Sequence, residues 1–180
     1  SIYPNIDLKD RFFTYDALNK KILQYKLSVF NPSAYIKEDM KKKYEDLAAT
    51  TGVLGFKQSD SEHFLIGMMK MNFLKRLESS IESFEISMDR TIQKIENLEN
   101  KIKEFLKSKQ KSQQEDLEIL QPDEDELEEN ADDMEQWQVG KKLKFDFADL
   151  ELEDWLDDLR KDKEALVDLY NNAVAVTPDR

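Results

Sequence analysis

Between residues 74 and 105, side chains recur at alternating spacings of three and four: Leu74, Leu77, Ile81, Phe84, Met88, Thr91, Ile95, Leu98, Ile102 and Phe105. Thr91 alone departs from apolar character. A stripe of this period lies on one face of an α-helix, and sustained over several heptads it is the seam of a left-handed coiled coil. The intervening positions are mostly Glu, Lys, Ser, Asn and Arg, as a solvated face requires. At ~1.5 Å per residue the segment projects roughly 48 Å. Asp60 and Ser61 offer an N-cap that lengthens the helix at its front.

Such a seam must be covered. The segment Phe147 to Ala173 is the candidate cover, because Leu152, Trp155, Leu156, Leu159, Leu166, Leu169, Tyr170 and Ala173 also recur with helical spacing. The stretch 108–144 is long enough to bring that helix back antiparallel to the first. Two shorter helices are expected ahead of them. Asp16 would cap one over Ala17–Phe30, stopped by Asn31-Pro32, and Ser33 would cap another over Ala34–Thr50, stopped by Thr51-Gly52-Val53-Leu54-Gly55. Residues 1–15 read as extended, a short strand or arm. The expected fold is all-α: an elongated helical bundle with a long antiparallel coiled-coil hairpin and two shorter N-terminal helices. Its segments are an arm with two short helices over 1–60, the long helix over 61–107, a linker over 108–144 and the returning helix over 145–174.

Composition agrees with a helical chain and narrows the chemistry. Only four Gly and four Pro occur in 180 residues, too few to turn a chain of many short strands. No cysteine is present, which excludes disulfides, thiolate zinc sites and a cysteine nucleophile, and a single histidine excludes paired-His metal motifs. Of 39 acids, twelve lie between Glu115 and Glu135 without an intervening Lys or Arg. The remaining acids equal the 27 bases, so the net charge of −12 resides in that block. A like-charge run that contains Pro122 repels itself and buries little, so it reads as a solvated, mobile linker.

Sharper readings of the block fit less well. A calcium loop starting at Asp123 would need Gly and Glu where Glu128 and Met134 stand. A Walker-B-like strand ending at Asp123-Glu124 is opposed by Pro122 and the short apolar run Ile119-Leu120. A mimic of DNA phosphates, competing for a basic groove elsewhere in a larger protein, is the third reading.

No motif for catalysis emerges. A phosphate-binding loop needs a glycine ahead of Gly-Lys-Ser/Thr, and Gly140-Lys141 is followed by Lys142. His63 reads as a surface or capping histidine, and Trp137 and Trp155 as packing residues. Carboxylates abound without anything to hold two of them around an apolar pocket. The best basic clusters are Lys41-Lys42-Lys43 and Lys70 with Lys75 and Arg76; clusters of three charges are more often solvated faces than DNA contacts. No apolar run approaches the ~20 residues of a membrane span. Both ends read as cuts inside a longer polypeptide, expected to be cytoplasmic and without a membrane partner.

The run Gly67-Met68-Met69-Lys70-Met71-Asn72-Phe73-Leu74-Lys75-Arg76-Leu77-Glu78-Ser79-Ser80-Ile81-Glu82-Ser83-Phe84 resembles a stretch of bacterial Swi/Snf-type superfamily-two helicases. There a Leu-Lys-Arg-Leu-Glu-Ser-Ser run followed by an aromatic residue opens a long helix. Tyr3-Pro4, Phe13-Thr14-Tyr15 and Tyr25–Tyr35 resemble the approach to that run more loosely. Phe145–Tyr170 resembles the helix after it, and Thr177-Pro178-Asp179-Arg180 the approach to the second RecA-like lobe. The resemblance implies a helical insertion between the two ATPase lobes of a DNA-dependent ATPase that takes ATP and Mg²⁺ and moves on double-stranded DNA. The phosphate-binding Lys, the Mg²⁺-binding acids and the arginine-bearing motif of such lobes are absent here, so no catalytic residue carries over and the fragment itself is expected to hold no cofactor. Lys70, Lys75, Arg76 and Glu78 are the candidates for contact with nucleic acid or a lobe. The competing reading is a free-standing coiled-coil interaction module that dimerises through the 74–105 seam.

Overall fold

A computed structural model describes residues 8–50, 58–108, 114–115 and 144–175. The described chain is mostly helical. Helix α1 spans Leu8–Gln24, α2 Lys41–Thr50, α3 Gln58–Ser79, α4 Ile81–Ser108 and α5 Leu152–Ala175. Two-residue strands, β1 over Gln114–Glu115 and β2 over Phe145–Asp146, pair antiparallel with Gln114 opposite Asp146 and Glu115 opposite Phe145. Apart from Gln114–Glu115, the acidic block and its linker lie outside the described residues.

The N-terminal region departs from the sequence expectation. Residues 8–15 belong to α1, not to an extended arm, and the helix ends at Gln24 instead of running to Phe30. Leu27 is the reason for the early stop. Its backbone adopts the left-handed conformation (φ 49°, ψ 53°) while its side chain is fully buried. That conformation costs an L-residue about 1–2 kcal/mol, which burying a leucine, at about 1.5–3 kcal/mol, offsets. Single turns of 3-10 helix follow at Ser28–Phe30, Pro32–Tyr35 and Glu38–Met40, so α2 begins at Lys41 and not at Ala34.

These short turns carry few hydrogen bonds of their own and are held by other elements. Ser28 is tied chiefly to α5: its backbone N–H and Oγ–H both donate to Asp162 Oδ2 (2.7 and 2.5 Å), and its carbonyl, which also accepts from Asn31 N–H (3.0 Å), accepts from Trp155 Nε1–H (2.9 Å). The Tyr35 ring stacks on Trp155 with centroids 5.5 Å apart, and its hydroxyl donates to Asp158. Ser33 donates from both N–H and Oγ–H to Glu62 on α3. An isolated bridge between Ile36 and Leu150 joins the same region to the segment ahead of α5. Asp149 there accepts from Lys43 Nζ (2.6 Å) and the Tyr44 hydroxyl (2.7 Å) of α2. Buried polar groups must find partners, and here they specify which turn meets which helix.

The expected uninterrupted helix over 61–107 is two helices. Ser80 lies between α3 and α4, and its Oγ accepts from the Ser83 N–H (3.2 Å) as an N-cap does. The backbone pattern still bridges the break, with Ser80 N–H bonded to Arg76 O and Phe84 N–H to Ser80 O. The two helices are therefore joined at an elbow, without an intervening loop. On α4 the expected seam is the buried one: Phe84, Met88, Thr91, Ile95, Leu98, Ile102 and Phe105 are all in the core. On α3 the buried residues include Leu65, Ile66, Met68, Met69, Asn72, Phe73 and Arg76, whereas Leu74 and Leu77 are only half-buried, as is Ile81 of α4.

The seam of α4 packs along α5, whose Leu152, Trp155, Leu159, Leu166 and Leu169 are buried. Phe105 meets Phe147 edge-on at 5.6 Å, and the buried Glu99 pairs with Lys163 at 2.8 Å. Phe147–Asp149 is a 3-10 turn capped by Asp146, so the helix expected from Phe147 starts at Leu152. Helix α3 packs on α1 and on the 3-10 turns. Among the described residues, no helix is long and apolar enough to cross a membrane.

Candidate functional site

The elbow between α3 and α4 is the candidate site. Arg76, Ser80, Ser83, Ser87 and Arg90 follow one another at spacings of four and three, so they form a polar stripe that crosses the joint one residue behind the apolar seam. With Glu82 and Ile86 they line a cleft of about 220 Å³. Sequence, helix period and elbow together build this cleft: the period aligns the stripe, and the break at Ser80 falls within it.

The lining residues differ in exposure. Arg76 is 7% exposed and Ser87 4%, whereas Ser80, Glu82, Ile86 and Arg90 face solvent. Arg76 and Arg90 are each engaged with neighbouring groups. The Ser87 Oγ is buried without a hydrogen-bond partner, although the Ser87 carbonyl accepts from Thr91 Oγ1–H at 3.0 Å. Leaving a buried hydroxyl unsatisfied costs about 1–3 kcal/mol. Two arginines, three serines and one glutamate thus line the cleft beside the start of a 28-residue helix.

Of the four sequence candidates, the fold brings only Arg76 to the cleft. Lys75 and Glu78 are exposed on α3 and are not among the cleft's lining residues. Lys70 lies half-buried on α3, where its Nζ donates to the Leu23 carbonyl at the end of α1 (2.9 Å). Burial lowers the Lys70 ammonium below the usual lysine range, and the Asp162 charge partly opposes it. His63 is exposed on α3. Ser80, Ser87 and Arg90 were not among the sequence candidates, though the stripe they share with Arg76 is legible as a repeat.

A second polar cluster surrounds Ser28. Burial raises the Asp162 carboxyl, and the hydrogen bonds from Ser28 do not cancel the effect. One turn away, burial also works against the Asp158 charge, but hydrogen bonds from Lys26 and Tyr35 outweigh it and hold Asp158 below the usual range. Burial and Asp158 together keep the Tyr35 phenol protonated, hence a donor. Every group there serves the joint between the 3-10 turns and α5, so this cluster is architectural. Among the described residues, no three Asp, Glu or His side chains are grouped to hold a metal ion. No family model, curated protein or solved structure matches this chain.

Proposed function

We propose that this chain is a non-catalytic helical insertion between the two ATPase lobes of a Swi/Snf-type helicase, where it acts as a lever and docking surface. One observation carries the reading. The run from Gly67 to Phe84, which resembles the helicase stretch most closely, coincides with the joint of the two longest consecutive helices and contains its break at Ser80. A lever needs stiff members and a defined joint, and α3, Ser80 and α4 supply them in one continuous hydrogen-bonded path. Helices α4 and α5 are then the two arms of an antiparallel hairpin. ATP and Mg²⁺ belong to the lobes of the parent protein, and double-stranded DNA is its track.

The competing reading, a module that dimerises through the 74–105 seam, has less to work with. The seam residues from Phe84 to Phe105 are buried within a single chain against α5. A second copy would have to displace that helix.

The test is enzymatic. The 180-residue chain alone is expected to hydrolyse no ATP, whereas the product of the full reading frame hydrolyses ATP faster when duplex DNA is added. A full-frame product without ATPase activity, or hydrolysis by the isolated chain, would contradict the proposal.

A further inference from the structure

We infer that the joint between the N-terminal turns and α5 is a pH-dependent latch, held by a proton on Asp162 and opened locally as that proton is lost. The inference stands apart from the helicase reading, because it uses only groups within this chain. Asp162 is 7% exposed, and among the described residues its hydrogen-bond donors are both on Ser28, an N–H and an Oγ–H that meet the same Oδ2. Neither is a cation. Lys26, the ammonium of this cluster, pairs instead with Asp158, one turn earlier on α5, at 2.8 Å. A buried carboxylate without a paired charge keeps its proton more readily than one in water, because its ionised form has lost hydration. The second carboxylate four residues away adds to that preference.

The other charged groups around the joint are committed elsewhere. From α3, Lys70 donates to the Leu23 carbonyl, and from α4, Glu99 is held by Lys163. Tyr35 donates to Asp158 and Tyr25 to the Ala165 carbonyl, and burial keeps both phenols protonated. Asp158 is held below the usual carboxylate range despite its burial, through hydrogen bonds from Lys26 and Tyr35. Asp162 is raised, chiefly by burial and further by Asp158. It is therefore the group of this cluster whose charge changes above the ordinary carboxylate range.

The backbone marks where the joint gives. Leu27 stands in the left-handed conformation immediately before Ser28, and its burial compensates that conformation only while the turn is docked. Leu27, Val29 and Phe30 are all buried with the turn, so the open form remains a minor population, and pH sets how minor. In the open form Asp162 is wet and ionises at about 4, whereas in the closed form it ionises at its raised value. Between those two values each pH unit multiplies the ratio of open to closed by up to about ten. Opening is rarest in acid and grows as pH rises.

The experiment is amide hydrogen exchange, read by NMR on the 180-residue chain from about pH 4 to about pH 8 and corrected for the intrinsic rate at each pH. The Ser28 N–H should exchange through local opening, so its protection lies below that of α4 amides such as Ile95. That protection should fall by up to about tenfold per pH unit and then reach a plateau. In Asp162→Asn, which keeps an acceptor for Ser28, the fall should vanish. Asp158→Asn removes the neighbouring like charge and should make the total fall smaller. A Ser28 amide as well protected as Ile95 at every pH would overturn the local opening. Protection independent of pH in the parent chain, or a fall that persists in Asp162→Asn, would overturn the latch. Should Asp162→Asn not fold, an undiminished fall in Asp158→Asn would overturn it instead. Neither result bears on the helicase reading, which is decided by ATPase activity.

Discussion

Two aspartates in this fold are tuned in opposite directions, and they show how burial and partners compete. Burial works to raise the Asp149 carboxyl, but hydrogen bonds from Lys43 and Tyr44, with the charges of Lys43 and Lys37, hold it below the usual range. Its contribution to stability is thus present above the unfolded carboxylate value of about 4 and is lost as pH falls through the lower folded value. Asp162 has the reverse sign. Its folded form favours the proton, so stability declines as pH rises from about 4 through its raised folded value. Asp149→Asn should therefore lose stability relative to the parent chain as pH rises from 3.5 to 7, by about 1–3 kcal/mol at neutral pH. Asp162→Asn, which keeps an acceptor oxygen for Ser28, should gain relative stability over the same range. Thermal melts at several pH values check both, and parallel slopes for the two variants would contradict the assignment.

At the scale of elements, the joint at Ser80 decides most of the architecture. The apolar period of α4 was legible because its seven seam positions from Phe84 to Phe105 all enter the core. Leu74, Leu77 and Ile81 also pack against the core but are only half-buried. Nothing in the period distinguishes Ser80 from any other solvated serine; only its bond to Ser83 N–H marks the cap. The N-terminal helices were misplaced for a related reason. Asn31-Pro32 is a strong stop signal, but the stop came earlier, at a left-handed Leu27 whose conformation no propensity favours and tertiary burial enforces. Arg76 was legible as a candidate from the resembling run, whereas its partners in the cleft required the elbow. Gly67 offers a test of local energetics. It is exposed within α3, and a β-carbon there would meet nothing within 4 Å. Gly67→Ala should stabilise the chain by about 1 kcal/mol, or about 2–4 °C in Tm. A lower Tm would mean that α3 needs its glycine for a contact beyond this chain's own fold.

The molecule as a whole joins a helical frame to short turns held by buried polar groups. Trp155, Ser28, Asp158 and Asp162 fix the N-terminal turns against α5, while α4 lies along the same helix on its apolar side. Helix α5 is thus the member on which the other parts are assembled. The most direct measurement is to read the coding sequence on both sides of these 180 residues. The account predicts a Gly-Lys-Ser/Thr phosphate loop and an Asp-Glu box upstream, with an arginine-rich helicase motif downstream, all in one frame. A start codon immediately before Ser1 and a stop immediately after Arg180 would contradict it, leaving a free-standing interaction module as the better explanation of the helices.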